Sequence, residues 1–164
     1  MSNFASVEAE QAVLGSLLID SGCVRRVAPI LRETDFSVAL NQDLYRVIET
    51  MDRDGQPIDG VTVCAEALRQ SLAEEKTLRK YLAQLMEITP TAANVEMYAD
   101  IVARTARRRE LKTALEDGLT ALTDQAPEDQ VLAQLDAAMT ASSQRLESEL
   151  LAPKEQVDGF LDYR

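Results

Sequence analysis

The chain has 164 residues, a length typical of one domain, and 46% of them are hydrophobic, which is enough to form a core and excludes an intrinsically disordered chain. Its formal net charge of −11 argues against a nucleic acid as the direct ligand, and the absence of histidine excludes active sites and zinc sites built on imidazole. With only 6 Gly and 5 Pro among many strong helix formers, the composition predicts an all-α fold.

The composition of the N-terminus and the sequence context of the two cysteines predict the cellular compartment. The first residues lack a basic segment followed by an apolar run, and no stretch approaches 18 uninterrupted apolar residues, so we expect a soluble, cytoplasmic protein without membrane contact. Cys23 and Cys64 lie in helix-like apolar patterns and are predicted to be buried free thiols.

The first two helices are predicted from apolar spacing. Ser6 is a suitable N-cap for a helix over residues 7–20, in which four large apolar residues recur one turn apart. A second helix is predicted from Cys23 to about Glu33, and the dipeptide at 35–36 indicates a turn.

Three further helices complete a predicted body over residues 1–90. Asn41 is expected to cap the third, which the turn residues at 54–57 end. Asp59 or Thr62 is expected to cap the fourth, whose apolar stripe Leu72 closes, and the fifth begins at about Thr77. Pro90 must end the fifth helix, because proline restricts the residue before it and lacks an N–H group.

The second half of the chain predicts a long antiparallel αα-hairpin over residues 91–150. Residues 92–125 contain no proline, the segment 123–127 has the composition of a turn, and a return helix begins at Glu128. The tail at 151–164 begins with a helix-start signal at Pro153 and is predicted to be the start of a further, linking helix.

The apolar residues of the hairpin are sparse and spaced by threes and fours, which is typical of a seam between helices. Two helices cannot cover all of this surface, so we predict that part of it contacts a second copy of the chain. The predicted self-association residues are Leu111, Leu115, Leu119 and Leu122 on the outgoing helix, and Val131, Leu132, Leu135 and Met139 on the return helix.

The only concentration of positive charge in this acidic chain consists of Arg104, Arg107, Arg108 and Arg109. It predicts either a patch that binds an acidic partner or a solvated helix face that pairs with nearby glutamates, and the second interpretation is favoured. No GxxxxGK[ST] motif occurs, so we expect no nucleotide site, no cofactor and no catalytic residue in this chain.

Several segments match a known family in order and spacing. They are VEAEQAVLGSLLID at 7–20, LYRVIETM at 44–51, GQPIDGVTV at 55–63, YLAQL at 81–85 and TPTAANVEMYADIV at 89–102. The chain therefore resembles the N-terminal domain of DnaB-type replicative DNA helicases over residues 6–150. It departs from the family at 77–80, where Thr-Leu-Arg-Lys replaces a usual Gly-Gly pair, and it contains no motor region.

The resemblance implies a role in DNA replication, as the collar of a ring-shaped homohexamer in which N-terminal domains dimerise through their hairpins. It also implies a DnaG-type primase as a partner, and ATP with Mg²⁺ as cofactors of the motor rather than of these residues. Two alternatives stay open: a free-standing collar protein that regulates or inhibits a helicase, and an unrelated helical adaptor. Whether the reading frame continues past Arg164 into a nucleotide-binding motif distinguishes the first two possibilities.

Overall fold

A computed structural model describes residues 5–151, and the side chains of residues 5–148. This part of the chain is helical and contains no strand, which confirms the all-α prediction. The segment 152–164, with the predicted linking helix, lies outside the described residues. The helices are α1 (Val7–Ile19), α2 (Cys23–Val27), α3 (Ala39–Arg53), α4 (Gly60–Arg69), α5 (Glu75–Glu87), α6 (Val95–Thr123) and α7 (Glu128–Leu151), with a short 3-10 helix at Glu33–Asp35 between α2 and α3.

At the starts of α1 and α4, the side chains predicted to cap the helix accept hydrogen bonds from free backbone N–H groups. Ser6 accepts a hydrogen bond from the Ala9 N–H group at the start of α1. At the start of α4, the Asp59 carboxylate accepts hydrogen bonds from the N–H groups of Val61 and Thr62, both at 2.9 Å, while the Thr62 hydroxyl accepts one from the Asp59 N–H group. Hydrogen bonds from the backbone, that of Thr62 foremost, hold the pKa of Asp59 below its usual value.

Two of the predicted boundaries in the first half are wrong. The second helix ends at Val27 and not near Glu33, because Pro29 has no N–H group with which to continue the helical hydrogen bonds. Asn41 does not cap α3, which begins at Ala39 after an N-cap at Val38. The Asn41 side chain is instead fully buried inside the body.

Asn41 belongs to a buried polar cluster that joins three helices. Its amide nitrogen donates to the Glu10 carboxylate of α1 at 3.0 Å, and its amide oxygen accepts a hydrogen bond from the Tyr81 hydroxyl of α5 at 2.5 Å. Glu10 also accepts hydrogen bonds from the N–H and hydroxyl groups of Ser37. The carboxylate is buried but has three donors, as a buried charge requires. It therefore fixes the positions of these helices.

The core of the body lies where α1 packs on α3 and α5 and where α4 packs on the same two helices. Phe36 and Tyr45 are fully enclosed, with ring centroids 4.9 Å apart. Both cysteines are buried free thiols as predicted, and burial is the main reason why the pKa of Cys23 is raised. The first half of α6 contributes Val95, Ala99, Val102 and Ala103 to the same core.

The chain divides into two compact units between Arg109 and Glu110. The sequence placed the boundary at residue 90, because Pro90 interrupts the helical pattern there. The division falls later because the small and β-branched side chains of the first half of α6 are buried in the core of the first unit, as a body helix requires. The first unit is called the body and the second unit the hairpin.

Candidate self-association surface

The hairpin consists of the second half of α6, a tight turn and α7. The turn is closed by Gln125, whose backbone adopts φ 62°, and by a hydrogen bond from the Ala126 N–H group to the Ala121 carbonyl at 2.9 Å. This is the Schellman arrangement that ends helices, here with glutamine where glycine is usual. Pro127 follows and is the N-cap residue immediately before α7, since its carbonyl accepts a hydrogen bond from the Val131 N–H group.

Two contacts define the register of the hairpin. Gly118 on α6 lies against the Leu135 side chain on α7, and a Cβ atom at Gly118 would be 3.2 Å from Leu135 Cδ2. Nearer the base, the buried Arg145 guanidinium donates to the Glu110 carboxylate at 3.4 Å. A step backward along α6 is therefore matched by a step forward along α7, so the helices are antiparallel. In this register Leu122 lies level with Leu132.

The seam between the two helices is lined by small residues on the α6 side. Gly118 is buried, while Ala114 and Ala121, which lie four residues before it and three after it, are half-buried on the same helix face. On α7, Val131 is 3% exposed and Leu135 is half-buried. Small side chains let the helix axes approach closely, so the seam is filled without the large leucines of α6.

Six of the eight predicted self-association residues are exposed, with Leu115, Leu119 and Leu132 each 67% accessible and Met139 62%. The other two correct the prediction: Val131 is buried within its own chain and Leu135 is half-buried against Gly118, so neither is available as predicted. Sequence reasoning also missed Leu146, which is 43% exposed and continues the spacing of seven from Leu132 and Met139.

The exposed residues form one face of the hairpin. On α6 the exposed leucines lie about 90° around the helix axis from the residues that line the seam. On α7 the corresponding angle between the exposed residues and the seam residues is about 80°. The rotation has the same sense on both helices when each is viewed from its own N-terminus. Because the helices are antiparallel, equal rotations place both stripes on the same side. This side is called the apolar face; it comprises Leu111, Leu115, Leu119, Leu122, Leu132, Met139 and Leu146.

The opposite side of the hairpin is polar. The same helical geometry places Thr113, Asp117 and Thr120 of α6 there, together with Gln130 and Gln134 of α7, and all of these are exposed. An amphipathic two-helix arm with an uncovered apolar face is the arrangement expected where another protein surface packs.

The four predicted arginines all lie on α6 and differ in exposure. Arg104 and Arg108 are exposed and lie one helical turn apart, whereas Arg107 and Arg109 are half-buried. Arg109 donates to the Asp35 carbonyl at 2.9 Å and so connects α6 to the 3-10 helix of the body. Arg104 and Arg108 are therefore the two of the four that are exposed.

Within residues 5–151, no group of three or more histidine, cysteine, aspartate or glutamate side chains is placed to hold a metal ion. No helix in that range combines the length and the apolar character needed to cross a membrane.

Comparison with known proteins defines the class. The profile of the DnaB-like helicase N terminal domain family matches residues 2–104, which is more than half of the chain. The chain belongs to this family, and the resemblance predicted from its sequence segments is confirmed.

Its relatives are replicative DNA helicases. The chain is 36% identical over 144 residues to the replicative DNA helicase DnaB of Geobacillus stearothermophilus, covering 87% of this chain and 32% of that protein. It is 40% identical over 106 residues to the DnaB helicase of Mycobacterium leprae, covering 65% of this chain and 18% of the relative. The chain thus spans at most about a third of the length of these relatives.

A solved structure confirms the fold. The N-terminal domain of the DnaB helicase from Mycobacterium tuberculosis superimposes with a TM-score of 0.78 at 31% sequence identity, and the match covers 84% of this chain and 98% of that domain. The sequence and fold of this chain are therefore those of the N-terminal domain of a replicative DNA helicase.

Proposed function

We propose that this chain acts as the self-association and partner-docking domain of a replicative DNA helicase, and that the apolar face of the hairpin is where two copies pair. The observation that carries the proposal is that the hairpin buries its small residues and exposes its large apolar ones. Its seam is filled by small residues, while Leu115, Leu119 and Leu132 project into solvent on one side. Family membership supports the same role, because the relatives are replicative helicases.

The apolar face is large enough to support a dimer. Complete burial of one leucine side chain contributes roughly 1.5–3 kcal/mol. A micromolar dissociation constant corresponds to a net binding free energy of about 8 kcal/mol. The contacts must also offset the free-energy cost of lost translational and rotational freedom. Seven exposed apolar side chains on each copy can supply this amount even if each is buried only in part.

The test compares a charge introduced on the apolar face with the same charge introduced on the polar side of the hairpin. Leu119→Glu should convert dimers to monomers in analytical ultracentrifugation at roughly tens of micromolar chain, because a carboxylate in the interface would be desolvated without a partner. Thr120→Glu is the control, since this exposed residue lies on the polar side and its substitution should leave the mass unchanged. Helical circular dichroism should be retained in both variants.

Two outcomes would contradict the proposal. A wild-type chain that is monomeric at these concentrations refutes self-association by the isolated chain. If Leu119→Glu unfolds the protein, Leu119 belongs to intramolecular packing and not to an interface.

We further propose that the chain by itself hydrolyses no ATP, and that ATP and Mg²⁺ act in the motor region of the relatives. The support is the lack of a phosphate-binding glycine motif in the sequence. We expect a steady-state phosphate-release assay to show no turnover above the buffer rate. Turnover that rises in proportion to the chain concentration and co-purifies with it would contradict this expectation.

The proposal extends to partners. A homohexameric ring and docking of a DnaG-type primase are supported by family membership. Direct DNA binding by this chain is proposed to be weak, because its net charge of −11 opposes the phosphate backbone and only 4% of its residues are aromatic and could stack on bases.

A further inference from the structure

Three helices of the body end on exposed carboxylates. Asp20 is the C-cap residue of α1, Asp54 is the C-cap residue of α3, and Glu87 is the last residue of α5. The C-terminal end of a helix carries a partial negative charge, so a cation is favourable there and a carboxylate is not. The last turns of α1 and α5 contain no basic residue, and the last turn of α3 contains only Arg53. These helix ends are therefore more negative than helix stability alone favours.

Contacts between the helices bring the three ends together. Gly15 of α1 packs against the Leu85 carbonyl and Thr89, so the C-terminal ends of α1 and α5 are neighbours. The short segment at 54–59 joins α3 to Gly60, which packs against Met86 in the last turn of α5. One end of the body, called the acidic end, therefore contains the C-terminal ends of α1, α3 and α5 and the start of α4.

Exposed apolar side chains lie among the carboxylates of the acidic end. Ile19 precedes Asp20 and is 45% exposed, and Ile88 follows Glu87 and is 48% exposed. Val61, in the first turn of α4, is 80% exposed. Exposed apolar side chains bordered by charges of one sign are the combination that a partner surface of the opposite charge complements.

The charge of the acidic end stays negative when the last turns, the caps and the connecting segments of these helices are all included. The carboxylates there are Asp20, Asp52, Asp54, Asp59 and Glu87, the cation is Arg53, and Arg25 of α2 is a further exposed cation nearby in the chain. Asp20 and Asp59 also accept hydrogen bonds from local backbone N–H groups. Both side chains are nevertheless exposed, so their charges are available to a partner.

We propose that the acidic end binds a cationic, partly apolar peptide segment of another protein. Lysine or arginine side chains of the segment contact the carboxylates at the three helix ends, and its apolar side chains cover Ile19, Val61 and Ile88. The proposal rests on the partner-docking role stated above and specifies the chemistry of one partner, and it is independent of the hairpin.

Other occupants fit the acidic end less well. Within residues 5–151 no three carboxylates are placed to share a metal ion, and a nucleic acid is repelled by the same charges. A second copy of the chain has exposed cations such as Lys76 and Lys80, but its net charge of −11 opposes its approach. A cationic segment of a different protein has no such penalty.

The experiment measures the binding of a fluorescein-labelled amphipathic peptide of lysine and leucine to the full chain by fluorescence anisotropy. The test variant combines Asp20→Asn, Asp54→Asn and Glu87→Gln, which remove charge at nearly constant side-chain size. The control variant combines Glu116→Gln, Asp117→Asn and Asp136→Asn, which are exposed hairpin positions and give the same net charge. We expect the dissociation constant to rise at least about tenfold in the test variant and less than about twofold in the control variant.

Two further measurements separate a binding role from a structural one. Val61→Ser leaves the net charge unchanged and should weaken peptide binding about threefold to fivefold, whereas Leu115→Ser on the hairpin should leave it unchanged. The test variant should also unfold at a higher urea concentration than the wild type, because its carboxylates lie at the negative ends of helices. Carboxylates retained for stability would give the opposite shift.

Several outcomes would overturn the proposal. If the wild type shows no saturable binding, or if the test and control variants lose affinity equally, the acidic end is not a specific site. Unchanged binding in the test variant, or its loss in Leu115→Ser, would place the peptide elsewhere. A lower sedimentation mass of the test variant would show that the acidic end contacts a second copy instead. If Leu119→Glu leaves the mass unchanged, hairpin pairing fails while the peptide result still stands.

Discussion

In the body large apolar side chains fill the core, and Phe36, Tyr45 and Leu17 are fully enclosed. In the hairpin a small residue, Gly118, lies in the seam, while Leu115 and Leu119 are two-thirds exposed. Both regions consist of helices with apolar residues every three or four positions. This spacing therefore identifies an apolar helix face that must be buried against another surface. The size of the residues in the seam decides whether that surface belongs to the same chain.

The largest difference between the regions should appear when one leucine is truncated in each. Leu17→Ala removes a fully buried side chain from the core and should lower the free energy of unfolding by about 2–5 kcal/mol. Leu115→Ala should change it by less than about 0.5 kcal/mol in dilute solution, where the chain is monomeric. Urea unfolding followed by circular dichroism compares the two variants.

At higher concentration Leu115→Ala should instead weaken association, roughly tenfold in the dissociation constant if about 1.4 kcal/mol of burial is lost. The comparison breaks if Leu115→Ala destabilises the dilute monomer as much as Leu17→Ala does, because the leucine would then be part of a core.

Much of the body could be predicted from sequence because its signals are local. Asp59 with Thr62 is a capping pair, and Gly55, at φ 70°, supplies the left-handed conformation that ends α3. The ends of α4 and α6 use the same left-handed conformation at Ser71 and Gln125, and neither residue type predicts that conformation from sequence. The sequence therefore indicates such an end clearly only where glycine is used.

The candidate surface was predictable only in part, for a physical reason. The spacing of the apolar residues identified the hairpin and most of its exposed face, but spacing is the same for residues that point into the seam and for those that point away. Spacing therefore groups Val131 with Leu132, although Val131 is buried and Leu132 is exposed. The informative residue is Gly118, because an isolated glycine within a long helix often has a packing reason, here the close approach of Leu135.

A buried carboxylate and an exposed one provide the second contrast between the regions. Glu10→Leu should lower the free energy of unfolding by about 2–4 kcal/mol, because it leaves buried donors of Ser37 and Asn41 without an acceptor. Glu116→Leu in the hairpin should change it by less than about 0.5 kcal/mol. Thermal or urea unfolding measures both, and a Glu10→Leu variant as stable as the wild type would show that the cluster does not hold α1 and α3 together.

The finest test makes the same small substitution in the seam of each region. A Cβ atom at Gly15 would be 2.2 Å from the Thr89 hydroxyl oxygen and 2.5 Å from the Leu85 carbonyl oxygen, and the latter is backbone that cannot rotate away. We expect Gly15→Ala to lower the free energy of unfolding by about 1–3 kcal/mol, as overpacking does.

At Gly118 the nearest atom to the added Cβ is Leu135 Cδ2, 3.2 Å away at the end of a half-buried side chain that can shift by a few tenths of an ångström. Alanine also loses less conformational entropy than glycine in a helix, so Gly118→Ala should be neutral or stabilising by up to about 1 kcal/mol. Opposite signs in urea unfolding would confirm that the body seam between α1 and α5 is closed by backbone and the hairpin seam by a movable side chain. Equal losses would mean that Leu135 is fixed as rigidly as the core, and that the hairpin is a packed unit even without a partner.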